Sequence, residues 1–175
     1  VSETLHKEVG NVEWNLYDPT LLVQHVLQKH PDLAAIYAKK LAAHPCSESA
    51  PWHIVLGYDE FIPGDKLKIK NLRKSMVLAF NFKELGRDVL ERDCTWFIPI
   101  ALLTSAFEPV TGGWSQAFKQ LLRRLLINPL SPRRAGIPIT IGNLTHLISA
   151  DVFDIISDGD GHRQAFEWMG ANALR

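Results

Sequence analysis

The chain has 175 residues, 46% of them hydrophobic and 22% charged, which suffices for one globular domain with a sizeable core and excludes disorder as the main state. With 19 basic residues against 19 acidic ones the formal net charge is zero, so affinity for nucleic acid must come from local patches and not from the overall balance. Two widely separated cysteines, Cys46 and Cys94, suit a reducing compartment and cannot build a structural zinc site alone, while the absence of a signal-peptide core or a membrane-length apolar run predicts a soluble, intracellular chain with no membrane partner. There is no initiator Met, and the sequence stops at Arg175 shortly after a helix-like segment, as expected of a piece of a longer protein.

Residues 1–15 show no clear period. Asp18-Pro19 then supplies an N-cap and a proline for the first helical position, ahead of Leu21, Leu22, Val26 and Leu27 at helical spacing, and this helix should end near His30-Pro31. A second helix from Asp32 carries Leu33, Ile36, Tyr37 and Leu41 on one face until Pro45 stops it. The two make a helical hairpin, and residues 1–50 are predicted to form an N-terminal helical segment ahead of a domain over residues 51–175. His25, His30 and His44 share no spacing with acids or cysteines and receive no role.

After a linker over residues 46–51, the run His53-Ile54-Val55-Leu56-Gly57-Tyr58-Asp59-Glu60-Phe61 reads as a strand buried on both faces and closed by a Pro63-Gly64 turn. A carboxylate beside such a strand is costly unless a cation or several hydrogen bonds meet it; Asp59 is thus either a metal ligand or a solvated turn residue. Lys66, Lys68, Lys70, Arg73 and Lys74 follow without an intervening acid over residues 66–74, a patch suited to phosphates or simply to keeping a loop solvated. Residues 75–82 form a second strand with Phe80 and Phe82 on one face, and residues 95–103 a third, which Pro99 confines to a sheet edge. From Ser115 to Ile127 runs the clearest amphipathic helix, with Phe118, Leu121, Leu122, Leu125 and Leu126 on the apolar face and Lys119, Gln120, Arg123 and Arg124 off it. A loop with Arg133 and Arg134 leads to a fourth strand expected within residues 137–144, then to a segment apolar except for Asp151 and Asp154, and a short helix is expected over residues 160–169.

The order is β-β-β-α-β-α. A meander of three strands, followed by a right-handed crossover laying strand four parallel to strand one, gives the strand order three, two, one, four and sets Asp59 near Asp151. Two acids on adjacent strands make half of a magnesium cage, the arrangement that assists phosphoryl transfer. A calcium loop over residues 156–167 is disfavoured because Ile156 would occupy its first ligand position. No Gly-x-Ser-x-Gly elbow and no phosphate-cradling glycine loop is present.

That element order, with Tyr58-Asp59-Glu60 and the later Ala150-Asp151, resembles the ribonuclease H-like catalytic core of DDE/D transposases. More narrowly, Val55-Leu56-Gly57-Tyr58-Asp59-Glu60-Phe61-Ile62-Pro63-Gly64, Trp96-Phe97-Ile98-Pro99-Ile100, Ser149-Ala150-Asp151 and Gly170-Ala171 are similar to transposase-derived proteins of the CACTA type and related mobile-element sequences of protists, over about residues 50–175. The resemblance implies a truncated α/β, ribonuclease H-like mixed sheet and metal-dependent DNA strand cleavage and transfer by the complete protein. It also implies Asp59 and Asp151 as catalytic, metal-binding acids for Mg2+ or Mn2+, with a third acid on a later helix and a cysteine pair, both beyond Arg175. The implied partner is DNA, transposon ends or target, held by the patch from Lys66 to Lys74. Nuclear location in a eukaryote and a homo-oligomer of the full-length protein fit the same family. The rival reading is a transposase-derived domain that keeps the fold and binds nucleic acid or protein without catalysis.

Overall fold

The computed structural model describes residues 2–6, 11–61, 74–106, 110 and 113–157. In chain order it contains a two-stranded antiparallel ribbon, β1 (Ser2–His6) and β2 (Asn11–Asn15), in the region whose sequence shows no period. Helices α1 (Pro19–Lys29) and α2 (Pro31–Ala43) follow. Next come β3 (Trp52–Phe61), β4 (Ser75–Phe82), a short α3 (Arg87–Leu90), β5 (Phe97–Leu103) and α4 (Trp114–Leu122). The chain continues through β6 (Ile137–Ile141), β7 (Leu144–Ile148) and β8 (Ala150–Ile156). The main sheet has the order β5-β4-β3-β8, with β3/β4 and β4/β5 antiparallel and β3/β8 parallel. It is a mixed sheet in an α/β fold.

Local chemistry accounts for most of these elements. Asp18 caps α1 by accepting hydrogen bonds from the N–H groups of Thr20 (3.0 Å) and Leu21 (3.3 Å), and Pro19 fills the first turn, where no N–H partner is required. On β3 the residues Trp52, Ile54, Leu56 and Tyr58 alternate onto one face and are all buried. Phe80 and Phe82 of β4 join them on that face, as their spacing predicts. Pro99 does lie on an edge strand: it lacks an N–H, and its carbonyl accepts from Tyr17 N–H at 3.0 Å, so the segment leading into α1 shields that edge.

The helical hairpin packs directly on the apolar face of the sheet and shares one core with it. Tyr37 of α2 meets Trp52 and Phe82 with ring centroids 6.0 Å away in each case, and the Trp52 indole N–H donates to the His44 carbonyl at 2.8 Å. α4 covers the same face further along, with Trp114 against Tyr58 at 5.8 Å, and its chain continues as a π-helical turn from Arg123 to Ile127. Among the described residues the fully buried Tyr37 hydroxyl has no hydrogen-bond partner, and burial pushes its pKa well above the usual value. An unsatisfied buried hydroxyl costs about 1–3 kcal/mol, so Tyr37→Phe should leave thermal stability unchanged or raise it. Because the folded-state pKa lies above the unfolded one, the native protein loses stability as pH rises past about 10, where the unfolded tyrosine ionises. Denaturation of the phenylalanine variant at alkaline pH should lack that contribution.

The expected fourth strand requires a correction. Residues 137–148 form a β-hairpin, β6 with β7, whose two-residue turn is Gly142-Asn143, with Gly142 at φ 61°. A glycine-asparagine pair between apolar runs reverses the chain, because Gly reaches positive φ without strain. The strand beside β3 is therefore β8, and the hairpin lies against α1, tied by the Gln24 Nε2–H bond to the Pro138 carbonyl (2.8 Å). Gly136 opens the hairpin at φ 72°, and a Cβ there would stand 2.7 Å from Leu147 Cγ. Gly136→Ala should thus destabilise the protein by about 1–3 kcal/mol in urea denaturation, through backbone strain and that clash. The helix expected over residues 160–169 and the Pro63-Gly64 turn lie outside the described residues.

Candidate functional site

Alternation along β3 directs His53, Val55, Gly57 and Asp59 to the sheet face opposite the helices. The chain between β4 and β5 folds over that face. Buried Asn81 anchors it, its Nδ2 donating to the Thr95 carbonyl (3.2 Å) and hydroxyl (3.3 Å), while the Thr95 hydroxyl donates to the Val89 carbonyl at 2.7 Å. Trp96 then lies over Gly57, where a Cβ would come within 3.4 Å of its ring, and its indole N–H is fixed on the Leu90 carbonyl at 2.9 Å. Gly57 faces Ala79 across the β3/β4 ladder, so two small residues give a flat floor.

Between this floor and the carboxyl ends of β3 and β8 an open cleft of about 610 Å³ is left. Trp96, Leu90, Val77 and Ile98 provide its apolar walls, Asp59 and Asp93 its carboxylates, and Ser157, just past β8, also lines it. Asp59 is exposed, and its Oδ1 accepts the N–H of Glu60 at 2.7 Å. Glu60 is absent from the lining and pairs instead with Lys74 Nζ at 2.6 Å, in keeping with its alternate position on the strand. Among the described residues neither Asp59 nor Asp93 is ion-paired.

Asp151 is not in this cleft, and the expected proximity of Asp59 and Asp151 is corrected by the register. Asp151 pairs with His53 at the start of β3, six positions before Asp59, which separates the two by roughly 20 Å at about 3.3 Å per residue. The cause is the reassigned strand: when β8 and not β6 lies beside β3, Asp151 falls at the strand's amino end. There it meets Arg133 Nε at 3.4 Å, and its Oδ1 accepts the N–H of Val152 at 2.8 Å. An arginine supplies the compensating charge that a metal was expected to supply.

Of the basic patch, Lys74 is described and engaged by Glu60, while Lys66, Lys68, Lys70 and Arg73 lie outside the described residues, as do Asp158, Asp160, Gly161 and Glu167. Arg124 Nη1 stands 3.9 Å from Asp18. Cys46 and Cys94 are free thiols, and burial, the largest influence, pushes the Cys46 thiol pKa up. Sequence reasoning missed Asp93 and Trp96 as site residues. The available signal was Gly57: an isolated glycine inside an apolar strand marks the close approach of another group, here the Trp96 ring.

The two carboxylates of the cleft are hard oxygen donors of the kind Mg2+ and Mn2+ take. Each fits as one donor of a ligand set and they do not make a whole one, since no group of three His, Cys, Asp or Glu side chains suited to a metal occurs among the described residues. No helix among the described residues is long and apolar enough to cross a membrane. The chain matches no protein-family model, no curated protein and no solved structure.

Proposed function

We propose that the chain is part of a DDE/D-type transposase core of ribonuclease H-like architecture, in which Asp59 is the first acid of a site for DNA phosphodiester cleavage and transfer. One observation carries the reading: Asp59 stands on the rim of an open cleft at the carboxyl ends of the parallel strands β3 and β8, where open α/β sheets characteristically hold ligands. The order β5-β4-β3-β8, three antiparallel strands and then a parallel one after a helical crossover, supports the same architecture. In this reading the second acid is no longer Asp151. Ser157 lines the cleft, and the next acids in the sequence, Asp158 and Asp160, lie outside the described residues; Asp158 is the candidate for the second acid on sequence position alone, with a third supplied by another part of the parent protein. Bound Mg2+ or Mn2+ would supply Lewis-acid activation of the attacking hydroxyl and the leaving oxygen. The chain's own part is to hold carboxylate oxygens where a phosphodiester can enter from solvent.

Strand cleavage by the full-length parent in magnesium tests this. Loss of cleavage in Asp59→Asn supports the assignment, and full cleavage by that variant overturns it. A domain that binds nucleic acid or protein without catalysis is the second reading, favoured by the neutralisation of Asp151 on Arg133. Absence of cleavage by the unmodified parent decides for it. The DNA-binding role assigned to the basic patch has its own measurement: replacing Lys68 and Lys70 by alanine should weaken binding evenly across DNA sequences and flatten the slope of log K against log salt by about 0.9 for each phosphate no longer neutralised. An unchanged slope would leave these lysines a solubilising role.

A further inference from the structure

We propose that the cleft beside Asp59 is a docking groove for a partner protein that presents an exposed arginine, whose guanidinium is taken by the carboxylates of Asp59 and Asp93. The inference goes beyond the phosphodiester reading and does not rest on it. The apolar walls show that the groove is one to be covered. Ile98 and Ile156 are 45% and 56% exposed, and both line this cleft together with Leu90, Val77 and the Trp96 ring. Exposed apolar side chains gathered on one concave surface gain when a side-chain stem lies on them, which a hydrated ion alone does not provide. Trp96 is held by its indole hydrogen bond to Leu90 and lies on Gly57, so this wall is in place before an occupant arrives.

Charge then selects the occupant. Two carboxylates line the cleft and, among the described residues, no lysine, arginine or histidine does. Cations elsewhere in the described residues are already engaged: Lys74 by Glu60, Arg87 by Glu91 and Arg133 by Asp151. An ionised carboxylate only accepts hydrogen bonds and repels an anion, so the occupant must bring both donors and positive charge. Lysine and arginine side chains each do so, and arginine suits the groove better. Its guanidinium is less strongly hydrated than an ammonium, and its five N–H donors can serve two carboxylates at once. Its methylene stem lies along the apolar wall while the head reaches the acids, and tryptophan is the aromatic side chain to which a guanidinium is most attracted. Asp59 cannot hold a guanidinium and a magnesium ion at the same time, so such a partner would keep the metal out of the site.

Fluorescence anisotropy tests this with short labelled peptides, neutral except for one central residue that is arginine, lysine or, as a planar group without charge, citrulline. The unmodified chain should bind the arginine peptide at least about fivefold more tightly than either of the others. Asp93→Asn should weaken the arginine peptide at least about fivefold, and Ile98→Lys, which sets a like charge on the rim, should do so too. Asp93 and Ile98 are exposed, so both variants keep the fold. Equal binding of the lysine or citrulline peptide, or arginine binding that survives Asp93→Asn, overturns the proposal. So does binding that appears only in Arg163→Gln, which would give the cleft to an arginine of this chain, six positions past Ser157. Magnesium at constant ionic strength separates the two readings. Displacement of the arginine peptide by Mg2+ upholds both, while selective binding that Mg2+ leaves unchanged upholds the groove and removes Asp59 from the metal site. If no peptide binds while Asp59-dependent cleavage by the full-length parent persists, the groove alone falls.

Discussion

Replacing Leu125 with alanine is expected to destabilise the protein by about 2–5 kcal/mol, the range for removing a large aliphatic side chain from a closed core. Leu125 is 0% exposed, as is Leu121, and both belong to one buried cluster with Leu56, Leu78 and Phe80 of the sheet. The same change at Leu122 should cost less than about 2 kcal/mol, because that residue is only half-buried and the space it leaves opens toward solvent. The apolar face read from the sequence gives Leu122 and Leu125 equal weight. Helical spacing separates them: Leu125 follows buried Trp114, Phe118 and Leu121 at steps of four, three and four residues along one line, whereas Leu122 and Leu126 stand one position round at the margin of the core. Urea denaturation of the two variants side by side checks the difference, and equal losses would place the core face elsewhere.

The same helix illustrates how much of the fold is legible in the sequence. Period locates α1, α2, α4, β3 and β4, because each satisfies its own pattern of burial within a continuous stretch, and the Asp18 cap fixes the start of α1. Pro99 even fixes the edge of the sheet, since a missing N–H constrains neighbours that have not yet been placed. The elements that escape such reading have a different physics. Trp96 leaves the expected third strand for a tight turn over the sheet because Asn81 and Thr95, distant in sequence, satisfy one another's buried polar groups there. The β1/β2 ribbon is a pairing across a short connection that no periodic signal marks.

The fourth strand is the misreading with consequences, because the position of Asp151 depends on it. Residues 137–144 and residues 150–156 are both apolar runs of strand length, and period alone cannot choose between them. Gly142-Asn143 does choose: it commits the first run to a hairpin with β7 and leaves β8 for the place beside β3. Since Asp151 lies at the amino end of β8, paired with His53, and not past the carboxyl end of the strand beside β3, the two candidate acids separate along the parallel pair. A one-element error in assigning a strand thus moves a carboxylate from one end of the sheet to the other while leaving the strand order unchanged.

The activity test follows from that separation and has the largest expected effect. In the full-length parent, Asp59→Asn is expected to remove magnesium-dependent strand cleavage, because an amide keeps the shape of the side chain and gives up the charge that a divalent cation requires. Asp158→Asn should do the same if Asp158, the acid next to the cleft-lining Ser157 in the sequence, is the second acid. Asp151→Asn should leave cleavage intact and act on stability instead: its partner Arg133 is 56% exposed, so losing the pair should cost no more than about 1 kcal/mol. This pattern separates two accounts that share the same fold. If Asp151→Asn removes cleavage while Asp158→Asn does not, the acids cooperate across a distance that the β3/β8 register does not allow, and the placement of β8 beside β3 must be wrong in the active protein.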